Sequence, residues 1–147
     1  MPVHVLIAHV AALVGPVSSA LVVVYALVPA ARARLRWPMV VTSLVTGVLF
    51  VVTASAGRAL LADLDQTGVD VNAAYRHAKF SDTATTLAVV SAILVPVAAL
   101  RPLRPGVGRG PSTRVWAVLL CVLAVGLLVI TGYTVLMAVG AAWGADA

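Results

Sequence analysis

Four stretches of this chain carry no Asp, Glu, Lys or Arg: residues 1–31, 37–57, 83–100 and 115–145. A helix that crosses the hydrocarbon core of a bilayer needs ~20 predominantly apolar residues, with ~17–25 as the working range. All four stretches meet that requirement, the third with the least to spare. No soluble fold of 147 residues could hide so much apolar surface, because small domains leave a large fraction of their surface exposed. The chain is 62% hydrophobic and 10% charged, against about 25% charged in ordinary soluble domains. The expectation is a single domain, an all-α integral membrane protein built as an up-down bundle of four transmembrane helices. Their expected bounds are about 3–30, 38–61, 71–100 and 112–142, the third starting near either 71 or 84.

Charge placement predicts an orientation. Arg32, Arg34 and Arg36 separate the first two stretches, and Arg101, Arg104, Arg109 and Arg114 separate the last two. These short segments hold seven bases and no acid. Everything else combines Arg58, Arg76 and Lys79 with Asp63, Asp65, Asp70, Asp82 and Asp146. One side thus carries +7 and the other −2. The positive-inside rule places both arginine loops in the cytoplasm, with the termini and the middle loop outside the cytoplasmic membrane. Arginines at that interface also contact anionic lipid headgroups. Neither loop interleaves its bases with stacking aromatics, so nucleic acid is not an expected partner.

The first ten residues contain no Lys or Arg and lead into a long apolar run, which reads as a retained helix rather than a cleaved signal. Pro38 and Pro111 sit where proline opens a helix. Pro16 and Pro96 fall inside the first and third helices. Small residues mark the contact faces. Thr42, Thr46, Thr53 and Gly57 lie on the second helix, with Ser43 and Gly47. Ala73, His77, Ser81, Ala84, Ala88 and Ala92 form one stripe of the third. The single cysteine, Cys121, lies in the fourth stretch and reads as packing. The middle segment, roughly 58–82, is expected to be a solvated loop turning near Gly68. Its Asp63-x-Asp65 spacing lacks the ligand set of a calcium loop, and the chain contains no Glu.

The three histidines map to one side. His4 and His9 stand at the start of the first helix and His77 at the entrance of the third. Five residues at ~100° each set His4 and His9 roughly 140° apart, so a regular helix cannot aim both at one point. Cofactor sites in bundles are assembled from side chains on facing helices. Opposed imidazoles from His9 and His77 would suit the iron of a b-type haem, with His4 able to replace either partner. Arg58, Arg76 and Lys79 stand at the same level and could pair with haem propionates. The competing readings are a copper or zinc site using the three histidines with Asp82, and histidines that merely bond to headgroups or loop carbonyls. No nucleophile triad, P-loop or dinucleotide motif lies in the spans, so electron transfer rather than catalysis is the leading expectation. The alternative is an accessory subunit of a larger membrane complex, possible also as a homo-oligomer, with Trp116, Tyr133 and Trp143 as interfacial anchors.

Several short motifs resemble one known family. Pro2-Val3-His4 followed by His9 is similar to the L-P-x-H-x4-H opening of the bacterial membrane family catalogued as domain of unknown function 2231. Arg36-Trp37-Pro38 resembles its G-W-P, Thr53-Ala54-Ser55-Ala56-Gly57 its T-x-S-G-E, and Tyr75-Arg76-His77-Ala78 its E-H-A. The resemblance implies a four-helix membrane protein of a kind common in actinobacteria, with some relatives joined to Rieske iron–sulfur domains. By matching position, His4, His9 and His77 are the histidines carried over. Arg58 stands where the family often has an acid. Gly140-Ala141-Ala142-Trp143 replaces a C-terminal G-H-S-G-A, so a fourth histidine is missing.

Overall fold

The computed structural model describes residues 3–66 and 72–143. Helix α1 runs Val3–Leu27, a 3-10 turn covers Pro29–Ala31, and helices α2, α3 and α4 span Arg32–Gln66, Asn72–Leu100 and Pro111–Trp143. All four helices are long and apolar enough to cross a membrane. Short connections leave consecutive helices antiparallel, and each packs on its sequence neighbours, while α1 and α4 close the ring. Across the diagonals the helices scarcely meet.

The bundle carries many of its large apolar side chains on the outside. Leu13, Val115 and Leu136 are about 70% exposed, while Ala84, Ala88, Ala98, Ser43 and Thr46 are buried. In lipid, apolar side chains gain nothing by hiding from the solvent, so association rests on close van der Waals packing of small residues. Helices α2 and α3 approach closely at Gly47. A Cβ placed on Gly47 would stand 2.8 Å from the Ala92 Cβ, so only glycine permits that contact.

Three boundaries differ from expectation. Helix α1 ends at Leu27, three residues early, because Val28 precedes Pro29 and leaves helical geometry, with φ −113° and ψ 89°. Helix α2 begins at Arg32 rather than at 38, so Pro38 lies within it instead of at its first turn. The segment Arg32-Ala33-Arg34-Leu35-Arg36 consists of strong helix formers, and charge excludes them from lipid without excluding them from a helix. Most of the expected middle loop is likewise helical: α2 continues to Gln66 and α3 starts at Asn72, the earlier of its two expected starts. The Gly68 turn and Asp70 lie outside the described residues.

Arg32 is not a lipid-facing residue. It is 4% exposed; its Nε donates to the Tyr25 carbonyl at 3.2 Å and an Nη to the Ala26 carbonyl at 3.1 Å. The last carbonyls of a helix have no partner within it, and a cation there meets both that need and the helix dipole. The Tyr25 hydroxyl donates to the Leu103 carbonyl at 2.8 Å, tying α1 to the α3–α4 connection. Tyr25, Met39, Leu103 and Leu120 are fully buried beside these bonds. Thr113 Oγ1 accepts from the Gly110 amide at 2.7 Å and so helps to cap α4. This end of the bundle is closed.

Candidate site at the histidine end

The opposite end is shaped by His77 on α3. Its half-buried ring lies against α4, with Nδ1 3.2 Å from the Thr134 carbonyl. A carbonyl oxygen can only accept, so Nδ1 carries the hydrogen and the ring orientation is tied to α4. Two crevices of about 90 Å³ each adjoin this ring. The first lies between α2 and α3, lined by Gly57, Leu61, Ala74 and Ala78, with Arg58 and Asp82 among its walls. The second lies among all four helices, against Ala8 and Ala11 of α1, Phe50 of α2, and Thr131 and Thr134 of α4. His77, Ser81 and Thr53 line both.

Two hydroxyls here are unusual. Thr134, Thr85 and Ser55 bond back to carbonyls four residues earlier, as hydroxyl residues in helices commonly do. The buried Oγ1 atoms of Thr53 and Thr131 have no hydrogen-bond partner among the described residues. Beneath them, Ala11, Phe50, Ala84, Ala88 and Leu127 form an apolar belt. Gly15 makes room for the Phe50 ring, since a Cβ there would lie 3.3 Å from it. At the α2–α3 edge an Arg58 Nη donates to the Asp82 carboxylate at 2.7 Å, both side chains being 56% exposed. An ion pair this open to solvent contributes ~0–1 kcal/mol.

The expected opposition of His9 and His77 is not formed. His9 is exposed, its Nδ1 lies 2.7 Å from the Val5 carbonyl of its own helix, and it lines neither crevice. The face of α1 turned to the crevices is that of Ala8 and Ala11, and position 9 falls off it by the helical rotation of ~100° per residue. The side chain of His4 lies outside the described residues. Arg76 and Lys79 are exposed and line neither crevice, whereas Arg58 lines the first but is engaged by Asp82. Among the described residues no group of three or more His, Cys, Asp or Glu side chains could hold a metal ion. The copper or zinc arrangement, with Asp82 as a fourth ligand, is therefore not assembled there.

Sequence reasoning passed over Thr131 and Thr134. They are three residues apart on one face of α4, a placement that could have marked them. Tyr133, expected as an interfacial anchor, packs edge-on against Phe80 with ring centroids 4.7 Å apart. Cys121 packs against the core cluster, as expected.

Comparison with known proteins returned no match to a family model, a curated protein or a solved structure. The motif resemblance therefore stands on its short motifs alone.

Proposed function

We propose that this is a small multi-pass protein of the cytoplasmic membrane, with its arginine loops in the cytoplasm and its histidine end open to the outer side. There the chamber around His77 takes the head of a small, neutral, hydrogen-bonding ligand. The observation that carries this reading is the pair of crevices sharing His77, Ser81 and Thr53, with two buried hydroxyls that lack partners in the described protein. Among the described residues the wall of the four-helix crevice is rich in alanine and includes no Asp, Glu, Lys or Arg. An ion would enter it uncompensated, whereas a neutral donor–acceptor would find a few placed polar groups in an apolar wall, the usual design of a ligand site. The +7 against −2 charge asymmetry supports the orientation.

Ethanol, a neutral donor–acceptor smaller than a benzene ring, is the probe, and acetate its charged counterpart. In bilayer-reconstituted protein, ethanol should shift the His77 and Thr134 resonances saturably, and acetate should not. Equal shifts from both, or none from either, would remove the reading.

Haem b and electron transfer form the second reading, favoured by one detail: an imidazole whose Nδ1 bonds to a backbone carbonyl is set as iron-ligating imidazoles commonly are. With His9 off the crevice face of α1, the second axial ligand in this reading would be His4, the alternative the sequence offers on the first helix. The available room does not fit the group as the helices stand. One benzene ring occupies an engineered cavity of about 150 Å³, and each crevice here holds about 90 Å³. A porphyrin could enter only if the helices part at this end. A reduced-minus-oxidised visible spectrum of protein expressed with ample haem decides the matter. An α-band at about one haem per chain, lost in His77→Ala, would establish haem, and a flat spectrum would dismiss it. The apolar outer faces suit lipid as well as a partner helix, so no surface singles out an accessory-subunit role.

A further inference from the structure

Halfway along the bundle, beyond the Phe50 belt, lies a separate small cavity of about 10 Å³. Its walls come from α1, α3 and α4: Ser18, Ser19 and Val22 face Ser91 and Val95, with Leu127 among the α4 residues. Ser19 is 3% exposed and Ser91 8%, and neither Oγ has a hydrogen-bond partner among the described residues. Both serines are helical, and each could have bonded back along its own helix as Thr46 does to the Thr42 carbonyl at 2.7 Å. They present unpaired hydroxyls to a shared cavity instead.

We propose that this cavity is a binding site for one structural water, bridging Ser19 of α1 to Ser91 of α3. The volume is near the smallest space that admits one water molecule, and a buried water needs two to four polar partners. Two serine hydroxyls, each able to donate and to accept, meet that requirement. A larger polar ligand does not fit, and an apolar one would leave both hydroxyls unpaired in a low-dielectric interior. The site also joins helices that otherwise scarcely touch, because α1 and α3 are diagonal in the bundle. The water thus acts as a polar strut across the diagonal. Phe50 lines the His77 chamber but not this cavity, and the two share no lining residue, so the water site does not depend on which ligand that chamber takes.

The test uses isotope-labelled full-length protein in bilayers and water-edited solid-state NMR, which follows magnetisation passing from water to protein. Ser19 and Ser91 Cβ signals should build up well ahead of those of Ala84 and Ala88 in the apolar belt. In Ser91→Ala the early build-up at Ser19 should disappear, and the melting temperature should fall, because the remaining hydroxyl loses its bridge. Build-up at Ser19 and Ser91 as slow as at Ala88 would overturn the proposal. So would an unchanged Ser19 signal in the variant. A melting temperature that stays level or rises would do the same, since deleting a buried hydroxyl that has no partner relieves the fold.

Discussion

At the arginine end the interior is filled by Tyr25, Met39, Leu103 and Leu120, all fully buried, and sealed by hydrogen bonds from Arg32 and Tyr25 to backbone carbonyls. At the histidine end the same four helices leave two crevices beside a half-buried imidazole, with an exposed ion pair at the edge. Side-chain size separates them: bulky residues plug one end, and alanines with short hydroxyl residues line the other. Closure secures the fold, and openness leaves polar groups available for binding.

Substitutions can break or sharpen this contrast. The largest effect is expected midway between the ends. Gly47→Leu forces atoms into the space occupied by the Ala92 Cβ, and should cost about 3 kcal/mol or abolish folding, read as lost monodispersity in detergent and a lower melting temperature. Arg32→Ala removes a buried cation from two carbonyls and should cost about 2 kcal/mol. Hydrogen exchange should then accelerate at the last turn of α1. Were Arg32→Ala no more harmful than an exposed arginine change such as Arg34→Ala, the closed end would not depend on that bond. Tyr25→Phe deletes one hydroxyl bond to Leu103 and should cost about 1 kcal/mol in denaturant titration. At the open end the ordering reverses. His77→Ala should leave stability within about 1 kcal/mol while abolishing the ethanol-induced shift at Thr134. The smallest effect belongs to Arg58 and Asp82, whose coupling in a double-mutant cycle should stay below about 1 kcal/mol and decline with added salt.

The four spans were legible because hydrocarbon imposes a charge-free length, and 37–57 or 115–145 can hardly be read otherwise. The interior stripe of α3 was legible for a similar reason: Ala84 and Ala88 fall at helical spacing and are buried at 1% and 0%. The role of Arg32 was not. A positive charge beside a span reads as an interfacial anchor until the chain reversal at Pro29 turns it back onto α1. The length of α2 was also hidden, because charged residues such as Arg58 and Asp63 end a span without ending a helix. The choice between His4 and His9 depends on the rotation of α1 in the bundle. Spacing shows that the two differ by about 140°, but only the neighbours of α1 determine which face turns inward. Thr131 was passed over because its hydroxyl matters through having no partner, a property of the packed bundle rather than of any motif.

The length of α2 has a further consequence. At 35 residues it spans about 52 Å, well beyond a hydrocarbon core of about 30 Å. Its last turns, with the Arg58–Asp82 pair, would then stand at the level of the headgroups. Bilayer thickness differs by several ångströms between membranes, and proteins respond by tilting or by deforming the lipid around them. A thick, sterol-rich bilayer would draw the mouth of the crevices toward the acyl chains, and a thin one would leave it in water. Reconstituting the protein in lipids of graded chain length would therefore adjust the wetness of the His77 chamber without altering a single residue.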